Sequence, residues 1–368
     1  MEIKFNKIAF IGLGLIGGSI ARAIKKYYPD TEIIAHANHI ETIQQAFAEQ
    51  VISNNEFLSI DELAKADIIF LCSPVKYNID YIKQLKPYLS ANTILTDVGS
   101  VKGDIHRAVN ELGLSDRFIG GHPMAGSEHT GFEYSSVQLL ENAYYVLTTN
   151  SDVDSTITSR FKDYIQSLGP IPITLSPEEH DFSTAAISHL PHLISASLVN
   201  LVNAEDNEDE ILKTIAAGGF RDITRISSSS PIMWQNICLS NRDEILKLMN
   251  LYKAQFAKFE KAVSDSDQDE LMTLFSNAKD YRDSLPVRSK GALAPSYEFY
   301  LDVEDEPGAI AMISLILALN QISIKNIGVL HNREFEQGVL GIEFYEDTAM
   351  KDALSILTKR GYTIHTKK

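Results

Sequence analysis

Cysteine is scarce in this sequence, because only Cys72 and Cys238 occur among 368 residues. Two cysteines so far apart cannot form a disulfide framework, so we expect a protein of the reducing cytoplasm. Positive charge is also scarce, since 33 Lys and Arg stand against 49 Asp and Glu, a net charge of −16. Nucleic acids and anionic membranes are bound by basic faces, so we expect neither as a partner.

Long hydrophobic runs are missing as well. No stretch approaches the roughly 18 consecutive apolar residues of a membrane span. The residues after Met1 lead directly into a strand-like segment, so we expect no signal peptide. The composition is that of a globular protein, with 44% hydrophobic and 22% charged residues. A chain of 368 residues exceeds one ordinary core, which predicts two or three domains.

Short apolar runs alternate with amphipathic stretches over residues 1–175. The predicted strands are residues 7–11, 32–37, 67–71, 93–97, 118–121, 145–149 and 171–175. The predicted helices include residues 19–28, 40–50, 102–112 and 156–168. Strands that alternate with helices favour an α/β fold with a parallel, doubly wound sheet.

Residues 176–285 show a different pattern, in which strand signals disappear and long helical runs take over. In the clearest run, apolar residues at spacings of three, four or seven fall on one stripe of a helix. They are Ile245, Leu248, Met249, Tyr252, Phe256, Phe259 and Val263. We predict an all-helical domain for substrate binding and for pairing in a homodimer. A purely structural helical subdomain is the alternative.

The last part of the chain is predicted to be a separate small domain. Residues 286–296 are polar and contain two prolines and a glycine, which is typical of a linker. Residues 297–368 then follow the order strand, helix, strand, strand, helix, strand. This βαββαβ order predicts a ferredoxin-like domain.

A glycine-rich turn lies between the first predicted strand and the first helix. It reads GLGLIGGS and has the spacing GxGxxG. Gly12 permits the tight turn, Gly14 lets the backbone approach a pyrophosphate, and Gly17 allows the helix to pack closely on the strand. We therefore predict a Rossmann-type domain that binds NAD through these glycines, Leu15 and Ile16. A glycine-rich turn without a ligand is the alternative.

The second predicted strand ends without the acidic residue that usually binds a cofactor ribose about 20 positions after the fingerprint. It reads AHANH at 35–39, with neither a carboxylate nor an arginine. Asn38 is the side chain left to bind the ribose, so NAD is the first choice and NADP stays open. Ser73 and Pro74, after the third predicted strand, are also assigned to the cofactor site.

Four further segments resemble the prephenate/arogenate dehydrogenase family of tyrosine biosynthesis. They read DVGSVKG at 97–103, GGHPMAGSE at 120–128, SHLPH at 188–192 and GFRDITR at 219–225. Together with the fingerprint, the resemblance covers residues from about 5 to 285. It implies oxidative decarboxylation of prephenate to 4-hydroxyphenylpyruvate, with hydride transfer to NAD.

His122 is the candidate catalytic base. Oxidation of an alcohol needs a hydrogen-bond acceptor at the hydroxyl, and a histidine titrates near neutrality. We expect His122 in an irregular loop after a strand, shaped by Gly120, Gly121 and Pro123; a structural histidine is the alternative. The resemblance implies that His122 polarises the ring hydroxyl of prephenate and that Ser100 binds near that hydroxyl and the nicotinamide.

The anionic substrate needs fixed cations, and an Arg fork matches a carboxylate in bidentate geometry. Arg221 and Arg225 are four residues apart, so they share a face if they lie on a helix. The resemblance implies that Arg225 holds a prephenate carboxylate, whereas Arg221 is equally well a surface ion-pair residue. His189, His192 and Ser127 are assigned to the same pocket. No third ligand accompanies the two histidines, so we expect no metal.

Two other functions stay open for the first 285 residues. Arogenate differs from prephenate by an amino group, and no single residue decides between an arogenate and a prephenate dehydrogenase. The chain is alternatively a non-catalytic, nucleotide-binding amino-acid sensor.

Residues 297–368 resemble an ACT domain, a small amino-acid-sensing module. The sequence EPG at 306–308 stands at the first strand-to-helix turn, where backbone N–H groups suit an amino-acid carboxylate. The resemblance implies an effector site of Glu306, Pro307, Gly308, Asn326 and Ile327, with tyrosine as the inhibitor. A structural cap is the alternative.

Overall fold

A computed structural model describes residues 5–126, 129–150, 152–285, 297–303, 306–330 and 338–365. The chain divides into two compact units, Met1–Ser289 and Lys290–Lys368. The predicted linker, residues 286–296, lies outside the described residues. The finer limits predicted at 175 and 285 stay predictions.

The first unit contains a seven-stranded sheet in the order β2-β1-β3-β4-β5-β6-β7. Its strands are β1 Lys7–Ile11, β2 Glu32–His36, β3 Ile68–Leu71, β4 Ile94–Asp97, β5 Phe118–Pro123, β6 Tyr144–Thr149 and β7 Ile171–Leu175. Strands β1 to β5 are parallel, as predicted. Strand β6 runs antiparallel to β5, and β7 follows β6 in parallel. The described residues between β5 and β6 form two short 3-10 turns and no crossover helix of the kind that usually joins parallel strands, and β6 accordingly runs antiparallel.

Helices cover both faces of this sheet. They are α1 Leu15–Tyr27, α2 Ile40–Ala48, α3 Ile60–Leu63, α4 Val75–Leu85, α5 Gly103–Glu111 and α6 Ser155–Ser167. Alternate residues of β1 enter two different cores, Ile8 and Phe10 on one side and Ala9 and Ile11 on the other. A strand buried on both faces reads as a continuous apolar run, which is why β1 and β3 are easily found in the sequence.

The rest of the first unit is helical over its described residues. The helices are α7 Pro177–Thr184, α8 Leu190–Glu205, α9 Ile211–Ile215, α10 Gly218–Thr224, α11 Pro231–Ser240, α12 Arg242–Ser264 and α13 Gln268–Ser284. The predicted apolar stripe lies on α12, but only part of it faces the core of this chain. Ile245 and Leu248 are buried, whereas Phe256 and Val263 are 59% and 65% exposed.

Helices α7 and α8 form one long apolar rod. A π-helical turn, Ala185–His189, joins them without a break. The rod Pro177–Glu205 is long and apolar enough to cross a membrane by length and composition, with a mean hydropathy of 1.3 over its most apolar stretch. This is weak evidence for a membrane span, because the rod also carries buried polar residues such as His180 and Ser195.

The second unit has the predicted order of elements. They are β8 Tyr297–Val303, α14 Ala309–Leu319, β9 Ile324–Leu330, β10 Gly338–Phe344, α15 Asp347–Lys359 and β11 Ile364–His365. The four strands form a small antiparallel sheet in the order β11-β8-β10-β9. Residues of both helices and of the strands share one apolar core, in which Phe299, Ile313 and Leu357 are fully buried.

Candidate active site

The glycine-rich turn has the geometry that its three glycines predict. Gly12 has a φ of +94°, and a Cβ there would lie 2.8 Å from the carbonyl carbon of Cys72. A Cβ on Gly17 would lie 2.6 Å from the Gly12 carbonyl oxygen, so a side chain would push α1 off the turn. A Cβ on Gly14 would meet no described atom within 4 Å, so the backbone here is open to a ligand.

The start of α1 is suited to a phosphate. Gly14 is its N-cap, no side chain caps the helix, and no acidic residue lies in the first turn, Leu15 and Ile16 included. Free N–H groups and the positive end of the helix dipole therefore face the open side of the turn. Ser73 is adjacent, because a Cβ on Gly12 would lie 2.9 Å from its Oγ. Pro74 follows as the N-cap of α4.

The end of β2 offers no carboxylate, as the sequence indicated. Asn38 is exposed. His36 lies between Phe57 and Tyr81, at ring-centroid distances of 5.6 and 5.7 Å. Its Nδ1 is buried without a partner among the described residues, and burial lowers the pKa of this imidazole. The ribose end of the turn is therefore lined by an amide and a neutral imidazole.

His122 is not in a loop, and this corrects the sequence prediction. Strand β5 continues to Pro123, and His122 is paired with Val146 of the antiparallel strand β6. The pairing extends one residue further, because Met124 N–H donates to the Tyr144 carbonyl at 2.7 Å. Gly120 and Gly121 do not make this segment irregular. Neighbouring atoms pack so closely around the strand that neither position has room for a Cβ.

A second histidine orients His122. His122 Nδ1 is 2.8 Å from His180 Nε2, and His180 Nδ1 is 2.8 Å from Asp181 Oδ1. The carboxylate can only accept, so His180 Nδ1 carries a proton and His180 Nε2 accepts from His122 Nδ1–H. In this tautomer the lone pair of His122 is on Nε2. No described side chain bonds to that atom, so it is available to a hydroxyl group.

The surroundings of His122 keep it neutral. Desolvation by burial is the main cause that holds its pKa well below the ordinary value, and the electrostatic effects of His180, Lys102 and His189, which disfavour a second positive charge here, lower it further. A neutral imidazole with a free lone pair is the form that accepts a proton at neutral pH.

Asp181 connects the helical part of the unit to the sheet. Its Oδ1 accepts from Lys102 N–H and its Oδ2 from Gly103 N–H, both at 2.7 Å, so it caps α5. Its main-chain carbonyl accepts from Asn241 Nδ2 at 2.8 Å. The same amide lies 3.1 Å from Nδ1 of the buried His189, which therefore acts as the acceptor. This network fixes α7 and α12 against the strand that carries His122.

Burial of His189 makes the stability of the first unit depend on pH. Desolvation lowers its pKa to about 4 from the ordinary 6.5. The unfolded chain binds this proton as pH falls through 6.5 and the folded chain only near 4, so acidification favours unfolding by up to about 3 kcal/mol. We expect His189→Gln to unfold with a weaker pH dependence between pH 7 and 4. Urea unfolding at several pH values measures the free energy of unfolding of both proteins. If this free energy fell equally with pH in both, the prediction would be contradicted.

The hydrogen-bond network around Asp181 does not include the other predicted substrate residues His192, Arg221 and Arg225. His192 Nδ1–H donates to the Ser188 carbonyl at 3.0 Å, and the ring of His192 stacks on Trp234 at a centroid distance of 3.7 Å. Arg221 lies on α10, and Arg225 begins the following 3-10 turn. Both guanidinium groups are exposed and form no ion pair with the described part of the chain.

The segment that carries the arginines is nevertheless attached to α8. Ser195 Oγ donates to the Ile223 carbonyl at 3.1 Å and lies 2.6 Å from Ser227 Oγ. Ser195 is one turn beyond His192 on the same helix. Ser100 is half-buried two residues before Lys102. Ser127 lies outside the described residues.

Three members of the site were missed by the sequence analysis: His180, Asp181 and Trp234. The first two are consecutive residues of a helix and have no distinctive spacing to any motif. Trp234 is the single tryptophan of the chain, and its Nε1 is buried without an acceptor among the described residues. That the chain has a single tryptophan was the one signal available in the sequence. Its unpaired N–H and its position beside His189 and His192 follow only from the fold.

Comparison with known proteins decides the family. Residues 20–170 match the model of the prephenate dehydrogenase nucleotide-binding domain, and residues 176–277 match that of the prephenate dehydrogenase dimerization domain. Prephenate dehydrogenase from Bacillus subtilis is 39% identical over 358 residues, which is 96% of each chain. The chain belongs to the prephenate dehydrogenase family.

Solved structures of this family share the fold. The crystal structure of Aquifex aeolicus prephenate dehydrogenase with hydroxyphenyl propionate and NAD⁺ has a TM-score of 0.73 and 29% identity, and covers 78% of this chain and 100% of that one. Synechocystis arogenate dehydrogenase has a TM-score of 0.68 and 30% identity, and covers 76% of this chain and 100% of that one. The family predicted from the sequence motifs is confirmed, and the two dehydrogenase activities occur on one fold.

Proposed function

We propose that this chain oxidatively decarboxylates prephenate to 4-hydroxyphenylpyruvate with NAD as the hydride acceptor. The observation that carries the proposal is the chain of hydrogen bonds from Asp181 through His180 to His122. It leaves a neutral imidazole with a free Nε2 at the carboxyl end of β5, the same edge of the sheet at which the glycine turn follows β1. Ligands of open α/β sheets bind at this edge.

The cofactor site is formed by the glycine turn and the uncapped start of α1. Bound NAD supplies the hydride acceptor. The chain supplies the N–H groups of the first turn of α1 for the pyrophosphate, Asn38 for a ribose and the Ser73–Pro74 turn beside Gly12. No carboxylate at the end of β2 repels a 2′-phosphate, so NADP stays the alternative cofactor.

The protein contributes a base and a fixed orientation to the reaction. His122 Nε2 accepts the proton of the ring hydroxyl while hydride leaves the same carbon, and Ser100 bonds to that hydroxyl. The bond from the ring to its carboxylate then breaks, carbon dioxide leaves, and that bonding pair completes the aromatic ring. The proton stays on His122, whose imidazolium is stabilised through His180 by the Asp181 carboxylate.

The substrate carboxylates are assigned to the helical domain. Arg225 is the main cation, with Arg221 on the preceding helix, and His189, His192 and Ser127 line the pocket. Trp234 Nε1 is a buried donor that needs an acceptor, which a carboxylate or carbonyl oxygen of the substrate would supply.

Four parallel assays test the proposal. Absorbance at about 340 nm, which reports reduced nicotinamide, is followed with prephenate or arogenate and with NAD or NADP. The proposal expects the highest kcat/KM with prephenate and NAD. A preference for arogenate makes the chain an arogenate dehydrogenase. Cofactor binding without turnover of either substrate would identify a non-catalytic sensor and contradict the proposal.

Arg225→Gln is expected to raise the KM for prephenate by about 10- to 100-fold, because a charge-assisted bidentate contact is lost. We expect kcat to change much less, since the arginine is assigned to a substrate carboxylate and not to the reacting carbon. Initial-rate kinetics over a range of prephenate concentrations measure both constants. Arg282→Gln, at another exposed arginine on α13, is the control. An unchanged KM in Arg225→Gln would remove this residue from the site.

The helical domain is assigned to a homodimer interface. Its surface carries many exposed large apolar side chains, more than an isolated domain usually leaves in water. They include Ile187, Leu201, Ile215, Ile223, Ile232, Leu239, Phe256, Val263, Met272 and Phe275. Pairing with a second copy covers this surface, the long apolar rod included. A cytoplasmic location stays a prediction.

The second unit is proposed to be an ACT-type sensor that binds tyrosine. A cavity of about 530 Å³ is lined by Glu306, Pro307 and Gly308, by residues of β8 and α14, and by Gly361–Thr363, which precede β11. Gly308 has a φ of +98° and caps α14, and Gly308 and Ala309 both line the cavity, so the start of this helix faces it. Asn326 and Ile327 do not line it. They are exposed on β9, the opposite edge strand, where a second copy would meet them.

Met312→Glu is expected to abolish inhibition by tyrosine, because it places a carboxylate in the cavity that is proposed to hold the effector carboxylate. Leu319→Glu, at the exposed far end of the same helix and outside the cavity, is the matched control. Dehydrogenase activity of both full-length variants is titrated with tyrosine. Equal inhibition of both would place the tyrosine site elsewhere, and no inhibition of the unsubstituted chain would leave the unit a structural cap.

A further inference from the structure

One buried ion pair beside the site has no role in the reaction described above. Asp97, the last residue of β4, and Lys102, the N-cap of α5, are in contact, and both side chains are fully buried. A buried pair is weak evidence for stability, because desolvation of two charges offsets their attraction. Its position therefore needs another explanation.

The pair holds the backbone of Gly121. Lys102 Nζ donates to the Gly121 carbonyl at 2.7 Å, and Gly121 N–H donates to Asp97 Oδ1 at 3.2 Å. The register of β4 with β5 ends at Thr96 and Ile119, so no backbone of β4 is paired with Gly121. The two side chains thus replace the missing ladder bonds one residue before His122.

The same pair also shapes the turn before Ser100. Asp97 Oδ2 accepts from Gly99 N–H at 2.9 Å, and the main-chain N–H of Lys102 is bonded to Asp181, the end of the histidine relay. A Cβ on Gly121 would lie 2.6 Å from the Asp97 carbonyl oxygen. The contact is therefore too close for any other residue at 121.

We propose that Asp97 and Lys102 are positioning residues, which set His122 and Ser100 in register with each other by fixing Gly121 and Gly99. The proposal rests on the proposed dehydrogenase function. The pair touches neither substrate nor cofactor. Its effect is on turnover, through the placement of the base.

The test compares three full-length variants. Lys102→Met removes the bond to Gly121, and we expect kcat to fall about 100-fold, with the dissociation constant for NAD within about twofold of the unsubstituted value. Asp97→Asn/Lys102→Gln keeps a donor and an acceptor without charge, and we expect kcat within about tenfold. Ile105→Ala is the control for destabilisation and should keep its kcat. Ile105 is a buried residue of α5 that belongs to the same apolar core as Ala9 and Ile11 of β1.

Nitrogen NMR of ¹⁵N-labelled histidine gives a readout that does not depend on turnover. The titratable groups that face His122 are His180, Lys102 and His189. In the unsubstituted chain and in Ile105→Ala we expect the His122 proton on Nδ1, and in Lys102→Met a mixture of tautomers.

The outcomes separate the two proposals. An unsubstituted chain that oxidises neither prephenate nor arogenate overturns the dehydrogenase function, while the tautomer comparison still tests the pair. A folded Lys102→Met with kcat within threefold and an unchanged tautomer overturns the pair alone. If Lys102→Met does not fold, the double variant decides: a 100-fold loss in kcat in that folded protein overturns positioning through hydrogen bonds.

Discussion

Replacement of His122 by Asn is expected to lower kcat about 1000-fold, within the range that a positioned general base contributes. The Asn side chain can still donate from its amide to His180 Nε2, so the relay stays satisfied. It has no atom in the place of His122 Nε2, so the hydroxyl proton has no acceptor. The change thus removes the base and little else.

Binding and turnover are measured separately for this variant. The dissociation constants of NAD and prephenate, determined by calorimetry, should stay within about threefold of those of the unsubstituted chain. His129→Asn, at a histidine that stacks on Tyr134 outside the relay, is the control and should keep its activity. Turnover near the unsubstituted rate in His122→Asn would show that another group takes the proton.

Replacement of Asp181 by Asn is expected to lower kcat about 100- to 1000-fold, through the tautomer of two histidines. The amide presents a donor where the carboxylate accepts from His180 Nδ1–H. If His180 shifts its proton to Nε2, His122 must accept at Nδ1 and carry its own proton on Nε2. The base is then blocked without being removed.

The control for Asp181→Asn is Asp104→Asn, at the half-buried acidic residue in the first turn of α5. Both changes remove one negative charge near the start of that helix, but only Asp181 belongs to the relay. Kinetics and ¹⁵N-histidine spectra of the two variants are compared at neutral pH. The relay is wrong if Asp181→Asn keeps kcat within threefold, or if it is slow but leaves the proton of His122 on Nδ1.

Much of the fold could be predicted because its signals are local. Strand β1 and strand β7 were predicted at their observed limits, and the other sheet strands within two residues, since buried strands are continuous apolar runs between turns. The glycine turn could be predicted because each glycine is needed for a local backbone reason. Gly12 has a positive φ, Gly14 leaves its side of the turn open, and Gly17 allows the helix to pack closely on the turn.

The predictions that were wrong concern how distant segments meet. Two glycines and a proline around His122 indicated a loop, but β6 pairs antiparallel with this stretch and extends β5 to Pro123. Glycine spacing alone cannot separate a flexible loop from a strand into which buried side chains press closely. The Asp97–Lys102 pair and the π-helical turn before α8 gave no signal of their own.

The sequence by itself determined the alternation of strands and helices, the glycine turn and the family, and it singled out His122 as the candidate base, because each of these signals lies in neighbouring residues. Only the tertiary structure decided which nitrogen of His122 is free. That depends on Asp181 and His180, about 60 residues further along the chain, which reach His122 only when α7 packs against β5 and α5. Hydrogen-bond direction is a property of atoms brought together in space, and a linear order of residues does not contain it.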